Sequence, residues 1–428
     1  MTTIAGHQGA TVPASRWRDP AVWITTADVL AILVAISLPW STTLVGILAP
    51  LMVLALAPLF DAPAFVRILK RPISAAPVAL FLLAVIGMLW SQAPWGERLH
   101  AVSPTAKLLV LPFLFYHFER SRRGQWVFSA FLASCTLLMV MSWIVAFEPG
   151  LALKLPREDG LGRGIFVKNY IDQSQEFALC AVALAYPVIT LWRAGKIWTA
   201  LLLIAVAASF IVNMAFVIVS RTALVTMPIM IAVFGALHLR WRTNLAIFLA
   251  VIVTGVAAWM ASPELKRTVE TFARDYQLYR EGVPTSIAER LEYWSHALQF
   301  FADAPVIGHG TGSTKALYEQ AAKAPGWIAG VRVFPNPHNQ TLNVAVQWGV
   351  IGIAILYAMW IMHLLLFRGD GLANWVGLMV VVQNIFTSLF NSHIFDFHEG
   401  WMYVLGVGVA GGIALKATAA QSARITSC

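Results

Sequence analysis

The sequence predicts an all-α, polytopic membrane protein, and two observations predict this. First, 59% of the 428 residues are hydrophobic and only 12% are charged, whereas a soluble domain carries about 25% charged residues. Second, apolar stretches of about 16 to 25 residues recur along the chain, and each is long enough to cross a hydrocarbon layer about 30 Å thick as a helix. Because a helix satisfies its own backbone polar groups in lipid, we predict a helical bundle.

About twelve apolar segments are predicted to be transmembrane helices. They lie at about 22–40, 43–60, 74–90, 103–118, 126–147, 173–192, 197–219, 222–238, 244–260, 340–366, 373–392 and 400–416. The first segment follows Arg16 and Arg18 and lacks a small-residue cleavage site, so we interpret it as an uncleaved anchor. An even number of spans places both termini on one side of the membrane.

The positions of the cations assign that side. If the N-terminus is cytoplasmic, the short inner segments hold half of the 30 Lys and Arg residues, and the short outer connections hold only Arg98, Lys107 and Arg221. Because short cytoplasmic loops are enriched in cations, both termini are predicted to be cytoplasmic, in an inner membrane. The net charge of +9 is then a result of topology, and it does not indicate nucleic-acid binding.

Two outer segments are longer than simple connections. The first, at about 148–172, combines glycines with cations that include Arg163 and Lys168. The second outer segment, at 261–337, is predicted to be a helical periplasmic loop domain. It separates a membrane bundle at 1–260 from further spans with a cytoplasmic tail at 338–428. Within the loop domain, Ser262 before Pro263 begins a predicted helix, and Ser286 forms a capping-box pattern for a second helix.

A glycine-rich turn at residues 308–312 follows the second loop helix. Such a turn before a helix can hold phosphate on its free N–H groups. No strand precedes this turn and no Gly-Lys-Ser/Thr follows it, so a plain turn is the favoured interpretation.

His338 is the first candidate for chemistry. It follows Pro335 and Pro337 and precedes an apolar helix, so we predict it in the first turn of a membrane helix at the outer interface. A helix N-terminus disfavours imidazolium, and a neutral imidazole there can accept a proton. The alternative is an interfacial histidine that only caps its helix.

Two arginines are candidates for binding an anion. Arg221 is the only formal charge between residues 197 and 234, and a charge near membrane depth is expensive unless an anion compensates it. It can alternatively be an anchor that extends to the lipid head groups. Arg290 lies at the margin of the apolar stripe of the second loop helix. Because arginine suits phosphate oxygens, these residues together predict a pyrophosphate-linked lipid as ligand.

The same residues resemble a known family. The features are Ser220-Arg221-Thr222-Ala223 after an apolar helix, Arg290 with Trp294, the turn at 308–312, and His338-Asn339 before a helix containing Gly349 and Gly352. In this order, over about residues 160–395, they resemble the O-antigen ligase and polymerase superfamily. The long loop between the ninth and tenth spans resembles most the ligase that joins O-antigen to lipid A–core.

The resemblance implies an inner-membrane glycosyltransferase that needs no metal or other cofactor and inverts the anomeric carbon. Its partners would be an undecaprenyl-pyrophosphate-linked glycan donor, a lipid A–core acceptor and membrane lipid, at a site facing the periplasm. His338 would be the general base, and Arg221 and Arg290 would bind the diphosphate. Arg163 and Lys168 match the pattern of diphosphate ligands loosely, and Asn169 and Asn339 are supporting candidates.

Other functions remain open from the sequence. An O-antigen polymerase and a protein O-oligosaccharyltransferase would use the same donor with another acceptor. A lipid or solute transporter is a different class, although the chain has no internal repeat of the kind that many transporters contain. A metal enzyme is also conceivable, because His393, Asp396, His398 and Glu399 cluster before the last span, but their spacing fits no defined zinc signature.

Overall fold

A computed structural model describes residues 19–153 and 164–426, apart from residues 219, 239–240, 282, 284, 326 and 329. This part of the chain is all-α and contains no strand. Its α-helices, numbered α1 to α18 in chain order, are Pro20–Ser37, Thr42–Ala55, Ala62–Leu69, Pro72–Ile86, Trp95–Ala106, Val110–Phe118, Gly124–Phe147, Tyr170–Ala183, Ala185–Arg193, Ile197–Phe216, Arg221–His238, Trp241–Ala261, Pro263–Arg280, Ser286–Asp303, Thr314–Ala321, Gln340–Leu366, Leu372–Thr387 and Phe397–Thr426.

The all-α fold predicted from the apolar segments is confirmed, and helices lie over every predicted span. Eight segments within the described residues are long and apolar enough to cross a membrane, and a ninth is added if α3 and α4, which are bent by 81°, form one span. Several apolar helices of this length are characteristic of a membrane protein. The number of twelve spans and their orientation stay predictions.

Glycines on α18 bring the central helices together. An added Cβ on Gly412 would lie 2.5 Å from the Cβ of Phe118 on α6, and one on Gly406 would lie 2.7 Å from the Val380 side chain on α17. Small residues let helix backbones approach closely in membranes, where van der Waals contact replaces the hydrophobic effect as the driving force. This packing holds α18 against α6 and α17.

The helices predicted in the loop domain are present as α13 and α14, but one predicted cap is wrong. The N-cap of α14 is Thr285, whose Oγ1 accepts a hydrogen bond of 3.2 Å from the backbone N–H of Ala288. Ser286 is the first residue of the helix. Thr and Ser are both good caps, so the backbone conformation, and not the residue type, decides which of the two adjacent residues is used. Helix α14 packs on α16.

The glycine-rich turn at 308–312 binds the backbone of α16 where that helix is broken at Gly349 (φ 60°). Its five N–H groups all have protein acceptors, at 2.9 to 3.1 Å, namely the carbonyls of Ala304, Val346, Gln347 and Gly87 and the side chain of Gln347. Because a helix break leaves carbonyls without their usual partners, the turn satisfies them. The plain-turn interpretation is confirmed, since these donors are not available to a phosphate.

Substituting Gly310 by alanine is expected to destabilise the protein by about 2 kcal/mol or more. Its φ is +87°, and an added Cβ would lie 2.6 Å from the backbone of Ser91. The matched control is Gly46→Ala, at a helical position where a Cβ meets nothing within 4 Å. Thermal unfolding in detergent should show a lower Tm for Gly310→Ala only. Equal Tm values for both variants would contradict this role of the turn.

Candidate functional site

His338 lies just before α16, and its predicted place in the first helical turn is wrong. The helix begins at Gln340, and the side chain of Asn339 caps it by accepting from the N–H of Leu342 at 3.1 Å. Because asparagine is a strong N-cap, the helix starts only after it. His338 instead has a left-handed backbone (φ 51°) and donates its N–H to Asn336 Oδ1 at 2.9 Å. This conformation directs the chain sharply into the helix.

Aromatic side chains surround the imidazole. The Phe334 ring stacks on it with a centroid separation of 5.2 Å and an interplanar angle of 9°, and the Tyr293 ring lies 5.8 Å away. The indole of Trp294 donates to the carbonyl of Pro337 at 2.9 Å. The neighbouring residues of α14 therefore hold the loop that carries His338.

A hydrogen-bonded chain links His338 to the turn between α17 and α18. His338 Nδ1 lies 2.9 Å from Asn391 Oδ1, and Asn391 Nδ2 donates to Asp396 Oδ2 at 2.8 Å. A second link runs from Ser392 Oγ, which donates to Asn336 Oδ1 at 2.7 Å. The loop before α16 and the turn at 388–396 are thus tied together by polar side chains.

Burial lowers the pKa of His338 below its ordinary value of 6.5, the contact with Asn391 acts in the opposite direction, and the charge of Arg290 lowers the pKa further. The direction agrees with the predicted neutral imidazole. Its main cause is desolvation of the ring and not the helix N-terminus on which the prediction depended. A neutral imidazole can accept a proton. Until the proton is transferred, the imidazole adds no second positive charge to that of Arg290.

Arg290 is half-buried on α14, one helical turn before Trp294. Its charge lowers the pKa of His338 and also that of His393. Arginine at this place can hold an anion beside the imidazole.

Arg221 is the first residue of α11. The segment just before it lies against the residues that follow the first long loop, since Gly164 packs on Val217 and Ile165 belongs to the same apolar cluster as Ile218. The backbone of Arg221 is therefore near the start of the segment 164–169. Arg163, which is predicted from the resemblance as a diphosphate ligand, lies outside the described residues.

The remaining candidates at 168 and 169 have structural contacts. The Lys168 ammonium is buried, lies 3.7 Å from Glu176 Oε1, and donates to the carbonyl of Leu38. Burial lowers its pKa. The side chain of Asn169 caps α8 by accepting from the N–H groups of Ile171 and Asp172 at 2.8 and 2.9 Å. Asn169 and Asn339 therefore each position a helix start.

The four residues considered as metal ligands divide into two groups. His393, Asp396 and Glu399 have possible ligand atoms within 4.8 Å of one another, while His398 Nδ1 lies 2.9 Å from Asp172 Oδ2. Burial lowers the pKa of His393 to about 3 and raises that of Asp396 to about 6. Imidazole and carboxylate can bind a divalent ion, so the first group is chemically able to do so.

Sequence reasoning missed Lys107 and Asn391 as parts of this site. Lys107, counted from the sequence only as a cation of a short connection, is buried, and its ammonium donates to the backbone carbonyls of Phe395 and Asp396. The available signal was the polar run at 391–393 between Phe390 and Ile394, a few residues before Asp396 and Glu399.

Comparisons with known proteins match part of the chain. Residues 207–357 match a family model described as O-antigen ligase, and this range contains Arg221, Arg290 and His338. An uncharacterized protein of Haemophilus influenzae (strain ATCC 51907 / DSM 11121 / KW20 / Rd) is 27% identical over 112 residues. That match covers 25% of this chain and 28% of the relative, well under two thirds of its length.

Proposed function

We propose, from the membership of the O-antigen ligase superfamily that the match over residues 207–357 supports, that this chain is an O-antigen ligase. It would transfer O-antigen polysaccharide from undecaprenyl pyrophosphate to a sugar hydroxyl of lipid A–core. The reaction would occur on the periplasmic face of the bacterial inner membrane. The observation that carries this proposal is the half-buried His338, whose Nδ1 is hydrogen-bonded to Asn391 and whose pKa is lowered by burial and by the charge of Arg290.

In the proposed step, the hydroxyl oxygen of the acceptor attacks the anomeric carbon of the donor sugar. The bond from that carbon to the pyrophosphate oxygen breaks, and its electron pair leaves with the diphosphate. The hydroxyl proton moves to Nε2 of His338, because Nδ1 already faces Asn391. A single displacement inverts the anomeric configuration and forms no covalent enzyme intermediate.

The departing diphosphate needs cations, and Arg221 and Arg290 are the proposed ligands. Cations placed where negative charge develops stabilise a transition state strongly when water is excluded. We retain Lys168 and Arg163 as secondary ligands of the same diphosphate. Lys168 would have to exchange its contact with Glu176 for one with phosphate.

The acceptor distinguishes this proposal from its nearest alternatives. Deleting the gene in its host and examining the lipopolysaccharide tests it directly. Loss of a ligase leaves lipid-linked O-antigen and bare lipid A–core, whereas loss of a polymerase leaves core capped by one repeat unit. Unchanged lipopolysaccharide would overturn both assignments and favour a protein acceptor or a transport function.

Transfer is expected to be insensitive to chelators. The proposed step uses a neutral imidazole and arginine cations, so it requires no Lewis acid. The test is transfer by the purified protein with and without EDTA, compared with the same reaction after addition of Mg²⁺ or Mn²⁺. Loss of transfer on chelation, with recovery on adding the ion, would contradict the mechanism and assign a metal to His393, Asp396 and Glu399.

A further inference from the structure

We propose that Asn391 and Asp396 are positioning residues that select the tautomer of His338 with its proton on Nδ1, leaving the lone pair of Nε2 free to accept a proton. This inference rests on the proposed role of His338 as a base. Neither residue would touch the substrate. Their effect would be exerted entirely through the imidazole ring.

The contact at Nδ1 determines the tautomer. An amide oxygen only accepts hydrogen bonds, so His338 Nδ1, at 2.9 Å from Asn391 Oδ1, must be the donor. In a neutral imidazole the other nitrogen, Nε2, then carries the lone pair. If the amide were reversed, its N–H₂ group would face Nδ1 and would favour the unproductive tautomer.

Asp396 determines the orientation of that amide. A carboxylate only accepts hydrogen bonds, and Asp396 Oδ2 lies 2.8 Å from the Asn391 nitrogen. Reversing the amide would place its oxygen against the carboxylate and lose the hydrogen bond to Asp396. The hydrogen bonds to His338 and Asp396 therefore fix the orientation of the amide between them.

The turn that carries both residues is held in place on several sides. Lys107 donates to the carbonyls of Phe395 and Asp396. The side-chain oxygen of Gln340 accepts from the N–H of Ile394 at 2.9 Å, and the N–H of Gln340 donates to the carbonyl of Ser388 at 2.8 Å. The start of α16 and the turn thus form one hydrogen-bonded unit. A residue that orients a base must itself be held rigidly, and these hydrogen bonds hold the turn that carries Asn391 and Asp396.

Several charged groups act on His338 or on its partners. Arg290 on α14 lowers the pKa of His338, and the phenol of Tyr293 lies near the ring. His393 lies within the same turn as Asp396, Lys107 approaches that turn from the segment after α5, and Asp172 acts on both His393 and Asp396 from α8. Moving the carboxylate from residue 396 to residue 391 places a negative charge next to the imidazole, so it should change the pH dependence of transfer.

Three variants test the inference. Asn391→Leu removes the acceptor with little change in volume. Asp396→Asn removes the carboxylate that orients the amide. The double variant Asn391→Asp with Asp396→Asn exchanges the two groups, so that a carboxylate accepts directly from His338 Nδ1 while the amide at 396 donates to it. Asn374→Leu is the matched control, because its side chain donates to the carbonyl of Asp370 at the other end of α17.

The measurements are kcat, KM for the lipid-linked donor and the pH dependence of kcat, for purified proteins that elute as folded species. Asn391→Leu and Asp396→Asn should each lose at least ~10-fold in kcat with an unchanged KM, a loss bounded by the 10²- to 10⁴-fold that a base contributes. The double variant should recover most of this loss. Its acidic limb should move to higher pH, because a negative charge next to the imidazole raises the pKa of His338.

Wild-type kcat in Asn391→Leu, or no recovery in the double variant, would overturn the inference. A metal-ligand role for Asp396 predicts no recovery, because the exchange moves the carboxylate away from His393 and Glu399, and it also predicts sensitivity to chelators. If the wild-type protein transfers no glycan from the lipid-linked donor, the proposed function fails instead. The two failures are therefore distinguishable in one set of assays.

Discussion

His338→Ala is expected to transfer glycan about 10²-fold or more slowly than the wild-type protein while binding the donor normally. A sugar hydroxyl is a poor nucleophile at neutral pH, and a positioned base typically contributes 10²- to 10⁴-fold. Because kcat falls and KM does not, the loss is assigned to the transition state. The measurement is single-turnover transfer by purified protein with a defined lipid-linked donor and acceptor.

The pH dependence of wild-type transfer provides a second result for the same residue. The pKa of His338 is lowered by burial, raised by the contact with Asn391 and lowered by Arg290, so the neutral base persists below pH 6.5. Transfer should fall as the pH drops through this lowered pKa and should be constant above it. His100→Ala, at an exposed position on α5, is the control. A near wild-type rate in His338→Ala, or a product with retained anomeric configuration, would exclude this residue as the base.

Arg221→Ala and Arg290→Ala are each expected to abolish transfer almost completely. Removing one partner of a desolvated, hydrogen-bonded charge pair costs roughly 2–5 kcal/mol, which corresponds to about 30- to 5,000-fold in rate. Arg→Lys at either position should recover little of this loss, because a point charge cannot replace the planar fork that binds two phosphate oxygens. The measurement is kcat/KM for the lipid-linked donor.

The control for Arg290→Lys is Arg274→Lys, on the exposed side of α13 in the same loop region. The control should retain wild-type transfer. If Arg290→Lys is also fully active, Arg290 is a surface charge that does not bind the diphosphate. The effect of Arg290 on His338 gives a further check, since losing the cation should move the acidic limb of transfer to higher pH.

The candidate base and one of its cations could be found from the sequence because their signals are local. His338 is noticeable because prolines and an apolar helix enclose it, and Arg290 because helical periodicity places it at the edge of an apolar stripe. The same local reasoning placed His338 inside the helix, because residue patterns locate a helix start only to within a few residues. The capping asparagine that moves the start to residue 340 is the neighbouring residue.

The sequence by itself determined that this protein is an all-α membrane protein, since the length and hydrophobicity of a segment decide whether it can cross a bilayer as a helix. Only the tertiary structure decided which polar groups meet at its candidate site. Asn391 is 53 residues from His338, and Lys107 is 289 residues from Asp396. Contacts at such separations depend on how the helix ends pack. A buried polar group must find a partner wherever the fold places one, and no pattern along the chain records which partner that is.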